Sequence, residues 1–159
     1  LICEKTSSYI ANVNSPSQIV IGGTEVAVGN AISIAKEYGL RRAVQLEVSG
    51  AFHTNLMLPA QTELTKELDA LNINRAKIPV VSNSAAMIIE HPDQIRNELK
   101  IQICSAVLWS QSVELMANSG IERFIELGPG AALTGLSKRI APSIDAINIQ
   151  DLDSVKDLE

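Results

Sequence analysis

The spacing of apolar residues changes period several times along the chain, and each change marks an element. Residues 18–23, "QIVIGG", are a β-branched run closed by two glycines, which predicts a strand. Beyond it the period lengthens: Val28, Ala31, Ile32 and Ala35 recur at helical spacing, with Thr24 placed to cap the helix and Gly39 to stop it. "RRAVQLEVS", residues 41–49, alternates again and predicts a second strand, giving a β-α-β unit over residues 18–49. After His53, Leu56, Leu64, Leu68 and Leu71 form one stripe over residues 55–71, a helix in which Pro59 is tolerated only in the first turn.

The second half repeats the alternation of strand and helix. "IPVVSN" (78–83) predicts a strand whose proline confines it to the strand's start or to an edge. Residues 90–103 predict a helix, with Pro92 and Asp93 in the favoured first turn and Ile95, Leu99 and Gln102 along one side. A helix over 109–120 stops at Gly120, a strand over 122–130 runs into a glycine turn, a helix covers 131–140, and a last strand covers 144–149. Residues 151–159 hold four acids and one lysine and predict a solvated tail. The alternation favours an α/β layered fold. Its style changes near residue 49, so the first unit fits a small subdomain and the later strands a main parallel sheet.

Composition narrows the classes. The 159 residues suffice for one domain with a core, or for part of a larger one. With one Trp, two Tyr and two Phe, that core is built from Ile, Leu, Val and Ala. No apolar run reaches the ~18 residues of a membrane span, and no basic stretch precedes an apolar one at the start, so a soluble, intracellular chain is expected. Cys3 and Cys104 lie far apart, which suggests neither a disulfide framework nor a zinc site, and no metal is expected. The net charge is −5, and residues 81–159 carry eleven acids against six bases, which argues against a nucleic-acid partner. A chain that starts at Leu1 is expected to be the C-terminal part of something longer; the alternative is a complete small domain from which a leading segment was removed.

His53, at the end of an expected strand in "VSGAFHT", is the foremost candidate for chemistry. A histidine there reaches a cleft with one ring nitrogen while a backbone carbonyl holds the other; the competing reading is a structural histidine. His91 precedes Pro92 at an expected helix start and is explained as a cap or surface residue. A histidine base needs a nucleophile, yet no serine here is flanked by glycines in a G-x-S-x-G elbow. "LGPG" (127–130) could present backbone N–H groups to an anion, but fits a tight strand-to-helix turn better. Asn12, Asn14 and Asn83 either shape loops or line a polar cleft, and Gln102 either meets a buried backbone group or serves the site.

Taken together, "NVNSPSQIVIGG", "VSGAFHTNLMLPA", "IPVVSN", "IQICSAVLWSQSVE" and "FIELGPGAALTGLSKRI" resemble, in order and spacing, the C-terminal half of malonyl-CoA:acyl carrier protein transacylases. The resemblance implies an α/β-hydrolase-like core with a parallel sheet plus part of a ferredoxin-like small subdomain. Residues 1–48 would be the C-terminal part of the subdomain, residues 49–150 that of the core, and residues 151–159 the acidic tail. It implies that His53 activates a serine, which takes malonyl from malonyl-CoA and passes it to the phosphopantetheine thiol of acyl carrier protein. The backbone carbonyl of Gln102 would orient that imidazole, although "CSAV" stands where the family commonly has an Asn-Pro or Ser-Pro pair.

Phe52 matches the malonyl-type specificity motif, its bulk filling the space of an α-methyl branch, and Asn14 is the second implied substrate contact. Arg41, Arg42, Lys138 and Arg139 would meet the acidic carrier protein or the coenzyme A phosphates; solvated surface charge is the alternative. No cofactor is implied, since malonyl-CoA is a substrate. The family's serine elbow, its glutamine loop and its carboxylate-binding arginine would lie in a missing N-terminal half, so this chain alone is expected to be inactive. A non-catalytic docking domain of a larger synthase is the alternative, and a hydrolase using water a more remote one.

Overall fold

The structure is a computed structural model and describes residues 1–155. A short helix, α1 (Ile2–Thr6), leads into β1 (Tyr9–Ser15), which turns through Pro16 and Ser17 into β2 (Gln18–Gly22). These two strands pair antiparallel, so the expected β-α-β unit over residues 18–49 is a hairpin followed by a helix. Polar Asn12, Asn14 and Ser15 break the apolar pattern of β1 and hid it in the sequence. β1 is paired on both edges, with β2 on one and with Val107 on the other. Val13 N–H donates to Val107 O and Val107 N–H to Ala11 O, both at 2.8 Å, which ties the hairpin to the rest of the chain.

Thr24 Oγ1 accepts the Ala27 N–H and starts α2 (Glu25–Ile34), which buries Ala27 and Ala31. A 3-10 turn, Ala35–Tyr38, ends the helical stretch at Gly39, whose φ of 75° is the left-handed stop expected there. Residues 41–49 form no strand, which corrects the expectation. Their alternation is real, but a strand is held by a ladder to a neighbour, and among the described residues none pairs with it. Val44, Leu46 and Val48 stay exposed.

A 3-10 turn at Asn55–Met57 precedes α3 (Leu58–Ala70), with Pro59 in its first turn as predicted. The expected strand at 78–83 shortens to β3 (Val80–Val81), which pairs antiparallel with an unforeseen β4 (Ile88–Ile89). Next come α4 (Pro92–Ile101) and α5 (Trp109–Asn118), the latter burying Val113 completely. The chain closes with β5 (Arg123–Leu127), α6 (Ala132–Ile140) and β6 (Asp145–Ile149). β5 and β6 lie parallel and in register, Arg123 opposite Asp145 and Leu127 opposite Ile149, joined by α6 as a parallel crossover requires. The molecule is thus a mixture of helices and sheets with a parallel pair, in short strands rather than one continuous sheet.

Pairing leaves much apolar surface bare. Leu127 and Ile78 are each 77% exposed, although the pattern places both at strands. Among the described residues no helix is long and apolar enough to cross a membrane. The start of the expected tail is a hydrogen-bonded turn in which Ser154 Oγ accepts the N–H groups of Gln150 and Asp151. The rest of that tail, residues 156–159, lies outside the described residues.

Candidate active site

The site begins where α4 ends. The last carbonyls of a helix have no partner within it, and here the cap carbonyl and the one after it face the loop that carries His53. Gln102, the C-cap of α4, accepts a hydrogen bond from His53 Nδ1 at 2.8 Å, and Ile103 O accepts the His53 N–H at 2.8 Å. The helix end is closed without a proline, through Cys104 N–H to Ile101 O and Ser105 N–H to Gln102 O. Four residues on, Leu108 N–H donates to Asn83 O, and Asn83 Nδ2 donates to Gln102 Oε1 at 3.2 Å. Residues 101–108 are therefore a seam that joins α4, the β1–β2 hairpin, the Asn83 loop and the His53 loop.

The bond to Gln102 decides which ring nitrogen is free. A carbonyl only accepts, so Nδ1 carries the proton, and in the neutral ring Nε2 is the basic nitrogen. The ring is half-buried and makes no second hydrogen bond among the described residues. Histidine 53 itself sits at φ 63°, in the left-handed region that non-glycine residues seldom occupy.

Phe52 is 49% exposed, and its ring lies over Gly50: a Cβ there would be 3.2 Å from Phe52 Cε2. Asn14 is half-buried and falls at the register shift between Val13 and Ser15, a bulge of the kind that re-aims a side chain, and its carboxamide makes no hydrogen bond among the described residues. Arg41 and Arg42 are exposed in the irregular stretch, while Lys138 and Arg139 are exposed in the last turn of α6. None of the four forms an ion pair among the described residues, and no hydrogen bond joins them or Asn14 to His53. His91 is the N-cap of α4, its N–H donating to Gln94 Oε1 at 3.2 Å.

Two recesses adjoin the seam. One, of about 130 Å³, is lined by Ser82, Asn83, Glu98 and Gln102 among others; the other, of about 320 Å³, by Asn83, Trp109, Phe124 and Leu133. Asn83 lines both and His53 neither. Cys104 is no rival nucleophile, because burial pushes its thiol above the usual range and disfavours the thiolate. Among the described residues no cluster of His, Cys, Asp or Glu could hold a metal.

Three contributors escaped sequence reasoning. Thr54, only 1% exposed, closes the His53 loop, and its signal is a threonine in N-cap position before "NLM". The sequence offers Asn83 as a polar loop residue but not its partner Gln102, which no spacing reveals. Glu126 on β5 caps α6, accepting the Thr134 hydroxyl at 2.6 Å and the N–H groups of Thr134 and Leu133. That carboxylate occupies the helix N-terminus after "LGPG", where an anion site had been the alternative to a turn.

No family model matches the chain. Curated relatives do. The malonyl CoA-acyl carrier protein transacylase of Bacillus subtilis is 40% identical over 147 residues, which is 92% of this chain and 46% of that protein. The enzyme of the same name from Escherichia coli K12 is 42% identical over 135 residues, 85% of this chain and 44% of its own. The crystal structure of an acyl carrier protein S-malonyltransferase from Vibrio cholerae superposes with a TM-score of 0.96 at 38% identity, covering 99% of this chain and 53% of that one. A malonyl-transacylase in complex with a type II PKS acyl-carrier protein gives 0.94 at 34% identity, over 98% of this chain and 52% of its own. The chain spans about half the length of the curated relatives it matches. In sequence and in fold it is homologous to the malonyl CoA-acyl carrier protein transacylases.

Proposed function

We propose that this chain supplies the histidine half of a malonyl-CoA:acyl carrier protein transacylase, with His53 as general base and Gln102 O as the group that orients it. The observation that carries the reading is the 2.8 Å bond from His53 Nδ1 to a helix-end carbonyl, which leaves Nε2 as the proton acceptor. The nucleophile would be a serine in the part of the relatives' length that this chain does not span. Nε2 takes the serine proton as the oxygen attacks the malonyl thioester, then returns it to the departing coenzyme A thiolate. In the second half-reaction the phosphopantetheine thiol of the carrier gives its proton to Nε2, its sulfur attacks the serine ester, and the serine oxygen leaves and is reprotonated.

Phe52 and Asn14 would contact the malonyl group, the former excluding an α-methyl branch; the exposed Arg41, Arg42, Lys138 and Arg139 would meet the acidic carrier or the coenzyme phosphates. The hairpin with α1 and α2 supports a ferredoxin-like subdomain ending near residue 48, and the β5-α6-β6 crossover supports an α/β-hydrolase-like core over residues 49–150. The site of action would be the cytoplasm. Radiolabelled malonyl-CoA tests the proposal. A protein of the relatives' full length that carries this chain becomes covalently labelled, this chain alone does not, and His53→Ala lowers transfer by roughly 10²- to 10⁴-fold. Label on this chain alone, or undiminished transfer by His53→Ala, would overturn it.

A further inference from the structure

A histidine at φ 63° keeps that conformation only where its surroundings impose it. Gln102 and Ile103 hold His53 from one side. On the other side stands Thr54. Its hydroxyl donates to Ala51 O at 2.6 Å and accepts the Leu56 N–H at 3.3 Å, while its carbonyl accepts the Met57 N–H at 3.0 Å. One side chain thus closes the loop over residues 51–54 and starts the helix behind it.

The threonine methyl has a seat of its own. A Cβ built on Gly22, the last residue of β2, would lie 2.8 Å from Thr54 Cγ2, closer than carbon atoms approach. Gly22 is not among the positive-φ glycines, so its backbone does not need glycine; the space does. Nor can Thr54 swing aside, because a β-branched side chain that is 1% exposed and bonded through its hydroxyl has a fixed rotamer.

We propose that Thr54 is a positioning residue for His53, and that the missing side chain of Gly22 is what lets it close the loop. The inference rests on His53 being the base. It extends that reading by making the β1–β2 hairpin part of the support of the catalytic loop. Thr54 makes no contact with substrate in this scheme. It acts by fixing where the imidazole stands, and displacement of a reacting group by about 1 Å is worth up to ~10²-fold in rate.

The alternative is that Thr54 merely caps a helix and stabilises the fold. Four variants separate the two in a protein of the relatives' full length, with malonyl transfer expressed per site that becomes labelled at the endpoint. Thr54→Val keeps the shape and loses the hydroxyl, and should lower kcat by ~10- to 100-fold with little change in KM for malonyl-CoA. Thr54→Ser keeps the hydroxyl and should stay near the parent. Gly22→Ala should impair kcat similarly to Thr54→Val, and Gly22→Ala combined with Thr54→Ser should recover most of it, since serine has no methyl to collide.

A merely structural threonine would lower the labelled fraction and leave kcat per labelled site unchanged, which overturns the inference. So would Gly22→Ala without effect, or a double variant no better than Gly22→Ala. If Thr54→Val does not fold, the comparison of Gly22→Ala with the double variant still decides. His53→Ala is run alongside: if it lowers transfer and these variants do not, only this inference falls, whereas an active His53→Ala removes the reading beneath it.

Discussion

Residues 41–49 and residues 51–57 are close neighbours in the chain, yet their backbones are satisfied in opposite ways. The first stretch alternates Val44, Leu46 and Val48 with polar residues, and its one backbone hydrogen bond among the described residues is local, Val48 N–H to Leu46 O at 3.2 Å. Val48 is 70% exposed. The second stretch has no apolar period at all, yet it is fastened by Thr54 from within and by the end of α4 from without. An alternating pattern states what a segment can pair with, and structure follows only when the partner is there. A loop built from side-chain caps and helix-end carbonyls brings its partners along.

The largest effect expected from this contrast is in amide exchange. In this chain alone the amides of residues 43–48 should exchange almost as fast as in an unstructured peptide, while those of Val13, His53 and Val107 are protected. Joined to the remainder of the relatives' length, residues 43–48 should slow by roughly a thousandfold or more, the difference between an unpaired and a core amide. Slow exchange there in this chain alone would show that the segment finds its own partner, and the contrast would fail.

The same contrast explains what was legible in the sequence. Helices were read well because their signals are local: Thr24 and Gly39 bracket the helical stretch they were expected to bracket, and Pro59 and Pro92 fall in first turns. Strands were read less well because each depends on a partner outside its own run, near or far in sequence. β1 is held by Val107, ninety-odd positions away in sequence, and β4 exists through two residues of β3. The His53 and Gln102 pair was implied by family resemblance, and nothing in their spacing points to a 2.8 Å bond. Thr54 and Gly22 stayed hidden because a contact between a methyl and an absent side chain leaves no pattern.

An intermediate effect is expected at residue 53. Every replacement there loses the ring bond to Gln102, so differences among replacements report the backbone alone. A β-branched residue at φ 63° is strained, whereas Gly and Asn tolerate it. His53→Val should therefore be less stable to urea than His53→Gly or His53→Asn by about 1–2 kcal/mol. Equal stabilities would mean that the loop relaxes out of the left-handed region, and that it is held less firmly than its hydrogen bonds imply.

The smallest effect concerns Glu126, where a second self-supplied partner stands beside bare apolar surface. Its carboxylate caps α6 while Leu127, next in sequence, is exposed. The Thr134 hydroxyl, aided by the backbone N–H groups of Thr134 and Leu133, holds this carboxyl below its usual value of 4.5 against a partial offset from desolvation. A carboxylate with a depressed folded-state value contributes stability that is fully present above the unfolded value and lost as pH falls through the folded one. Glu126→Gln keeps an acceptor oxygen and removes the charge, so it should lower Tm slightly at neutral pH, with the gap closing as the pH falls below the usual carboxylate range. Solvent screening at this part-exposed site keeps the difference on the order of half a kcal/mol. A gap that persists undiminished into acid would assign the cap to hydrogen-bond geometry rather than charge, and would place Glu126 with Thr54 as a neutral fastening.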